Sequence, residues 1–219
     1  MSWTPTPHVW LAAAALLLGS AAPAAPVAGE SDGWKLVQRK AAGDGYTLYS
    51  RPRAGSRYAE YRMDVVLDAE PADVMAALEQ NLFDPDTYPD GFQRSIVRSD
   101  GPTVVSHDTI QVPFLADRDV VLHTEFGLEP QPGVLRIRWR STRDDGPAPR
   151  DGVVRMPSSE GSWTVRRHEA GGTLAVYQSH VEIGGSLPTA FVEARMPAEI
   201  SRQAMELHRT MRERLVARR

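Results

Sequence analysis

The chain has 219 residues, and its 25 Lys and Arg against 28 Asp and Glu leave no basic excess with which to hold a nucleic-acid backbone. It has no cysteine, which excludes disulfides, thiolate catalysis and Cys-ligated metal sites. The length suits one domain plus a short leader, since a domain takes about 100–200 residues.

The first 29 residues carry no Lys, Arg, Asp or Glu. Within "VWLAAAALLLGSAAPAAPVAG" an apolar core, Val9 to Leu18, precedes small residues. A core of about 7–15 residues is that of a secretory signal peptide and is too short to span a bilayer comfortably. Residues 1–29 are therefore expected to be a signal peptide, and residues 30–219 a mature domain that is periplasmic or secreted. Only the amino terminus and His8 stand where Lys or Arg is usual, so an uncleaved anchor is the alternative reading.

From Gly33 onward the pattern is mostly period two. "YAEYRMDVVLD" (Tyr58–Asp68) puts Tyr61, Met63, Val65 and Leu67 on one face. "EPADVMAALEQNL" follows as a helix, with Pro71 in its first turn and Val74, Leu78 and Leu82 at spacings of four. Then come "TVVSHDTIQVP", "DVVLHTEFGLE", "VLRIRWRST", "GSWTVRRHE" and "GTLAVYQSHVEI", each read as a strand. Gly, Pro, Asp and Ser separate them, and short separators imply an antiparallel meander. Residues 143–152 are the exception and read as a longer, mobile loop. The C-terminal segment from Leu187 places Met196, Ile200, Ala204, Leu207, Met211 and Leu215 along one helical stripe. Pro197 inside it removes a backbone hydrogen bond and predicts a kinked or split helix. A curved antiparallel sheet wrapped round that helix satisfies this order, an α+β helix-grip architecture.

Strand parity picks an inner face. It holds Val104, Ser106, Asp108, Ile110 and Val112, then Arg118, Val120, Leu122, Thr124, Phe126 and Leu128. Leu135, Ile137 and Trp139 follow, with Arg136, Arg138 and Arg140 outside, then Trp163 and Val165, and then Ala175, Tyr177, Ser179, Val181 and Ile183. A solid core avoids groups such as Asp108, Thr124, Tyr177 and Ser179, whereas a ligand cavity is apolar with a few placed polar groups. The inference depends on register, which one bulge inverts.

"VPFLADRDVV" resembles the Arg-Asp strand, and the segment before it, of the START family of steroidogenic acute regulatory protein-related lipid transfer domains. "GSWTV", "TLAVYQSHVEIGGSLPTAFVE" and the closing helix resemble its C-terminal half, and "GWKLVQRKAAGDGYTLYSRP" resembles its opening hairpin. The resemblance runs from about Trp34 to the C-terminus. It implies an internal tunnel for one lipid or other apolar molecule, gated by the C-terminal helix and a loop at Gln111–Asp117 that contains Phe114 and Leu115. It also implies a buried carboxylate at Asp108. The arginine that pairs with it in some sterol-binding members falls at Thr124 here, so that ion pair is not expected and a sterol ligand is in doubt.

The expected ligand contacts are Phe114, Leu115, Asp108, Arg118, Leu122, Thr124, Trp139, Tyr177, Ser179, Ile200, Leu207 and Met211. Arg118 has a second reading, as a loop anchor paired to a carboxylate, and Asp119, on the opposite parity, reads as a surface or turn contact. His107, His123, His168 and His180 point outward, and no metal-ligand spacing or G-x-S-x-G elbow accompanies them. No cofactor and no metal are expected. The arginines of the last helix face Glu199, Glu206 and Glu213, which suits either a solvated face or transient contact with a membrane surface. The leading expectation is a noncatalytic lipid-binding or transfer protein. An enzyme on the same scaffold and a cavity-free partner-binding module of the cell envelope are the alternatives.

Overall fold

The computed structural model describes residues 32–41, 43–112 and 114–217, with only the backbone of residue 215. The expected signal peptide lies outside them. Strands β1 (Lys35–Lys40), β2 (Tyr46–Arg51) and β3 (Glu60–Leu67) form a meander, and helix α1 (Pro71–Phe83) then crosses to a second one. The second meander runs through β4 (Phe92–Asp100), β5 (Thr103–Ile110), β6 (Asp117–Gln131), β7 (Val134–Ser141), β9 (Ser158–Arg167) and β10 (Thr173–Glu182). Strand β10 pairs with β3, so one sheet runs β1-β2-β3-β10-β9-β7-β6-β5-β4. The short β8 (Val153–Arg155) adds to β6 in parallel. Helix α2 (Thr189–Ala217) closes the concave side, which makes this the α+β helix-grip fold the sequence implies.

The core lies between the concave face and the two helices. Met63 and Val65 of β3 are fully buried beside Ile137, Val165 and Ala175 of the neighbouring strands. Helix α1 adds Val74 and Leu78, and α2 adds Ile200, Ala204, Leu207 and Met211. Burying each large side chain of that set contributes about 1.5–3 kcal/mol. Helix α2 runs continuously from Thr189 to Ala217 through Pro197, so the expected split is absent. A proline costs a helix one internal bond, and here the stripe packed on the sheet outweighs it.

Two sequence expectations fail for identifiable reasons. Gly127, at φ 64, sits in a bulge between Glu125 and Leu128, and past it Leu128 pairs with Arg136 of the outer face. The inner register of β6 therefore ends at Phe126. The long loop expected at residues 143–152 is present and touches the sheet at Gly146, where a Cβ would sit 2.3 Å from Val121, and at Pro147, whose O accepts from Arg155 at 3.0 Å. This cover changes the status of Asp119. Its side chain is 1% exposed, bound at both oxygens by Arg155 (2.8 and 2.9 Å) and by His107 Nε2 at 2.9 Å.

The Arg155 hydrogen bonds hold the Asp119 carboxyl below its ordinary range; burial opposes this and His107 adds to it. A carboxyl lowered by folding lends stability above its unfolded pKa of about 3.9, and that stability is lost as pH falls through the folded value. Urea midpoints should therefore drop on going from neutral pH into the acid range. Asp119→Asn should be less stable than wild type near neutral pH and lose less on acidification. Parallel wild-type and mutant profiles would contradict the assignment.

Candidate binding cavity

Helix α2 does not fill the whole concavity. Beside its apolar stripe a cavity of about 220 Å³ remains. It is bounded by the last turns of α1, the 3-10 turn Pro85–Thr87, the start of β4, the inner faces of β6, β7, β9 and β10, and the middle of α2.

The floor is aromatic. Tyr177 lies between Trp139 and Trp163, with ring centroids 5.6 and 5.1 Å away. The indole of Trp139 lies across β9 because its cross-strand partner is Gly161, where a Cβ would come within 2.3 Å of the ring. Tyr88 and Phe92 meet edge to face at 5.1 Å on the far wall. Leu78, Leu82 and Leu122 complete the apolar lining.

The polar groups are few and mostly engaged. Arg94 stands opposite Asp108 across β4 and β5 and grips it bidentately, Nε to Oδ1 at 2.8 Å and Nη2 to Oδ2 at 2.6 Å. Its Nη1 donates to Leu82 O at 2.8 Å. Burial works against the charged guanidinium and the Asp108 carboxylate outweighs it, so the Arg94 pKa is raised. Burial also raises the Tyr177 phenol, which therefore stays neutral and accepts from Gln203 Nε2 at 3.3 Å. Arg202 Nη1 donates to Thr87 O at 2.6 Å and ties α2 to the 3-10 turn.

Of the expected contacts, Leu122, Thr124, Trp139 and Tyr177 line the cavity. Asp108, 2% exposed, stands behind the wall and holds Arg94 in it. So a buried ion pair exists after all, with β4 supplying the arginine in place of position 124. Ser179 is buried two residues along β10 from Tyr177. Ile200, Leu207 and Met211 are solid core beside the cavity. Arg118 is buried without a carboxylate partner: it donates to Ala116 O, packs against Gly185, and its Nε has no hydrogen bond. Phe114 and Leu115 are exposed on their loop and form no part of the wall. That loop is nevertheless tied to the cavity mouth, since Gln111 N donates to Gly91 O at 2.8 Å beside Phe92.

Tyr88, Phe92 and Arg94 were not anticipated. They belong to an unrecognised edge strand and the turn before it, although "FQRSI" does alternate. Arg202 and Gln203 sit on the polar flank of α2, away from the stripe that drew attention. Among the described residues no three His, Asp or Glu side chains come together as a metal site, and no helix is long and apolar enough to cross a membrane.

No protein-family model matches the sequence, and no curated protein sequence does. Solved structures do. A STAR-related lipid transfer protein from Xanthomonas axonopodis superposes with a TM-score of 0.64 at 25% identity, over 84% of this chain and 99% of that one. Human StAR-related lipid transfer protein 5 gives 0.65 at 18% identity, over 84% and 88%. The fold is that of a START domain. The same fold carries enzymes: the Zhui aromatase/cyclase of a Streptomyces species superposes at 0.52 with 16% identity, over 71% of this chain and 94% of that one.

The START fold of this chain thus rests in part on a charge pair within its wall. Removing one partner of a buried pair costs about 3–5 kcal/mol, whereas replacing both by apolar groups is often neutral. Arg94→Met should therefore destabilise by about that amount, and Arg94→Met with Asp108→Leu should recover most of it. Urea unfolding in a double-mutant cycle measures the coupling, and strict additivity would show that the two residues do not act as a pair.

Proposed function

We propose that this domain binds and carries one apolar small molecule of lipid-like character, without covalent chemistry, in a periplasmic or extracellular space reached through the leader at residues 1–29. The observation that carries this reading is the cavity itself: aromatic and aliphatic walls, with Arg94 and Asp108 saturated by each other. A general acid or base must be free to reach its substrate's proton. A cavity of about 220 Å³ also favours this reading over a solidly filled partner-binding module.

Entry at a membrane surface fits the loop before β6. Phe114 is fully exposed with its backbone in the left-handed region, at φ 66, and Leu115 is half exposed beside it. A side chain bearing Cβ pays about 1–2 kcal/mol for that backbone. The exposed ring is placed for contact with a bilayer.

Native mass spectrometry of the purified protein, before and after incubation with lipid vesicles, should reveal one retained apolar molecule. A protein that stays empty in both cases would remove the carrier reading. Phe114→Asp with Leu115→Asp should slow uptake from vesicles about tenfold or more, because two apolar insertions of roughly 1.5–3 kcal/mol each are lost. Equilibrium binding of a soluble ligand should stay the same.

A catalytic reading retains one observation, the buried neutral phenol of Tyr177 with Gln203 at 3.3 Å. Tyr177→Phe separates the two. It should abolish any turnover of a bound compound if the phenol does chemistry, and alter only affinity in a carrier.

A further inference from the structure

The outer face of the sheet carries a second concavity, apart from the cavity of the carrier reading. It is a groove of about 530 Å³ over β7, β9 and β10. Its floor includes Gly161 and the small Ser162 of β9, and Ser162 sits between Arg138 and Gln178 in the pairing of the strands. On one flank Arg53, in the turn after β2, reaches across to Glu160. On the other stand Arg136, Arg138 and Arg140, alternate residues of β7 that share the outer face.

Each carboxylate around this groove already has an arginine. Glu60 accepts from Arg51 Nε at 2.7 Å, and from Gln178 Nε2 at 2.6 Å as well. Glu160 accepts from Arg53. Glu125, on the neighbouring β6, accepts from Arg138 Nε and Nη2 at 3.0 and 2.5 Å. Two arginines are left over. Arg136 gives only its Nε, to Thr164 Oγ1 at 3.1 Å. The side chain of Arg140 makes no hydrogen bond or ion pair among the described residues and reaches Glu125 only through its field. These two guanidinium groups, with donors open, stand four residues apart on one strand, about 13 Å at ~3.3 Å per residue. A guanidinium fork matches a carboxylate in both shape and charge.

The spacing selects the partner. An extended peptide repeats its side chains on one face every two residues, about 6.8 Å, as the strand beneath it does. Acidic residues at alternate positions would therefore meet Arg136 and Arg140, with Arg138 between. A second copy of this chain would bring like charges together, since a twofold contact sets a patch against itself. The chain as a whole has a net charge of -3, so attraction of an anion to this face is local. We propose that the arginine row of β7 is a docking site for an acidic segment of a partner protein, held extended with its carboxylates on Arg136 and Arg140.

Fluorescence anisotropy of a labelled (Glu-Ser)4 peptide with the purified protein at low ionic strength tests this. The peptide should bind one to one, and more weakly as salt rises. Arg136→Glu with Arg140→Glu should weaken binding about tenfold or more. Arg39→Glu with Lys40→Glu makes the same change of net charge on exposed residues of β1, at the far edge of the sheet, and should leave binding unchanged. Arg136→Gln with Arg140→Gln should give a smaller loss and serves if the reversed variant does not fold. Equal losses in the β7 and β1 pairs, or no binding of the peptide by the wild type, would overturn the proposal. Binding of an oligothymidylate or of phosphatidylglycerol vesicles in place of the peptide, lost in Arg136→Glu with Arg140→Glu, would assign the arginines to phosphate and overturn the acidic segment as occupant.

Discussion

Helix α2 has one apolar stripe, the sheet has one concave face, and the two share a single core with helix α1 between them. Ile200, Ala204, Leu207 and Met211 meet Met63, Val65, Val165 and Ala175, and all are buried. Left apart, both surfaces would stand in water at about 25 cal/mol per Å². The stripe is narrow, because an amphipathic helix keeps its other flank for water. Where that flank turns toward the sheet it presents Arg202, Gln203 and Glu206, which cannot pack as core. The cavity is the space they leave, so its place beside the stripe follows from the helix sequence.

Two buried carboxylates secure the two faces of the same pair of strands. Asp108 on the inner face is gripped by Arg94, and Asp119 on the outer face is gripped by Arg155 and His107. Bringing a carboxylate out of water costs several kcal/mol, which only good geometry and further hydrogen bonds offset. Both arginines are bidentate, and both come from peripheral segments, β4 and β8. The charges therefore fasten to the central strands the parts of the chain that have little apolar surface of their own.

That division explains what could be read from the sequence. Strand β3 and helix α2 were legible because one side is buried and the other wet, so the period shows directly. Strand β4 was not, because it is an edge strand with most of its positions exposed, and Arg94 was hidden with it. Asp119 was misjudged for another reason. Parity did assign it to the outer face, but outer was equated with solvent, and residues 143–155 cover that face. The bulge at Gly127 inverted Leu128, a change of backbone that residue types alone do not announce. At the site, Leu122, Thr124, Trp139 and Tyr177 were legible because they alternate on long central strands. The mouth was not, since its residues are placed by turns.

The same contrast shows in how the walls of the cavity are fastened. Lifting α2 would expose Ile200, Leu207 and Met211, at about 1.5–3 kcal/mol each. The mouth, residues 82–92, is fastened chiefly by hydrogen bonds: Arg202 to Thr87 O, Tyr88 Oη to Leu82 O, and Gln111 N to Gly91 O. Such bonds contribute about 0.5–1.5 kcal/mol each, somewhat more for the arginine, and water replaces them when they break. Segments held this way are the first to open, while the packed core stays closed. Helix α2 is thus held by packing, and the turn before β4, tied at Gly91 to the loop that carries Phe114 and Leu115, by hydrogen bonds.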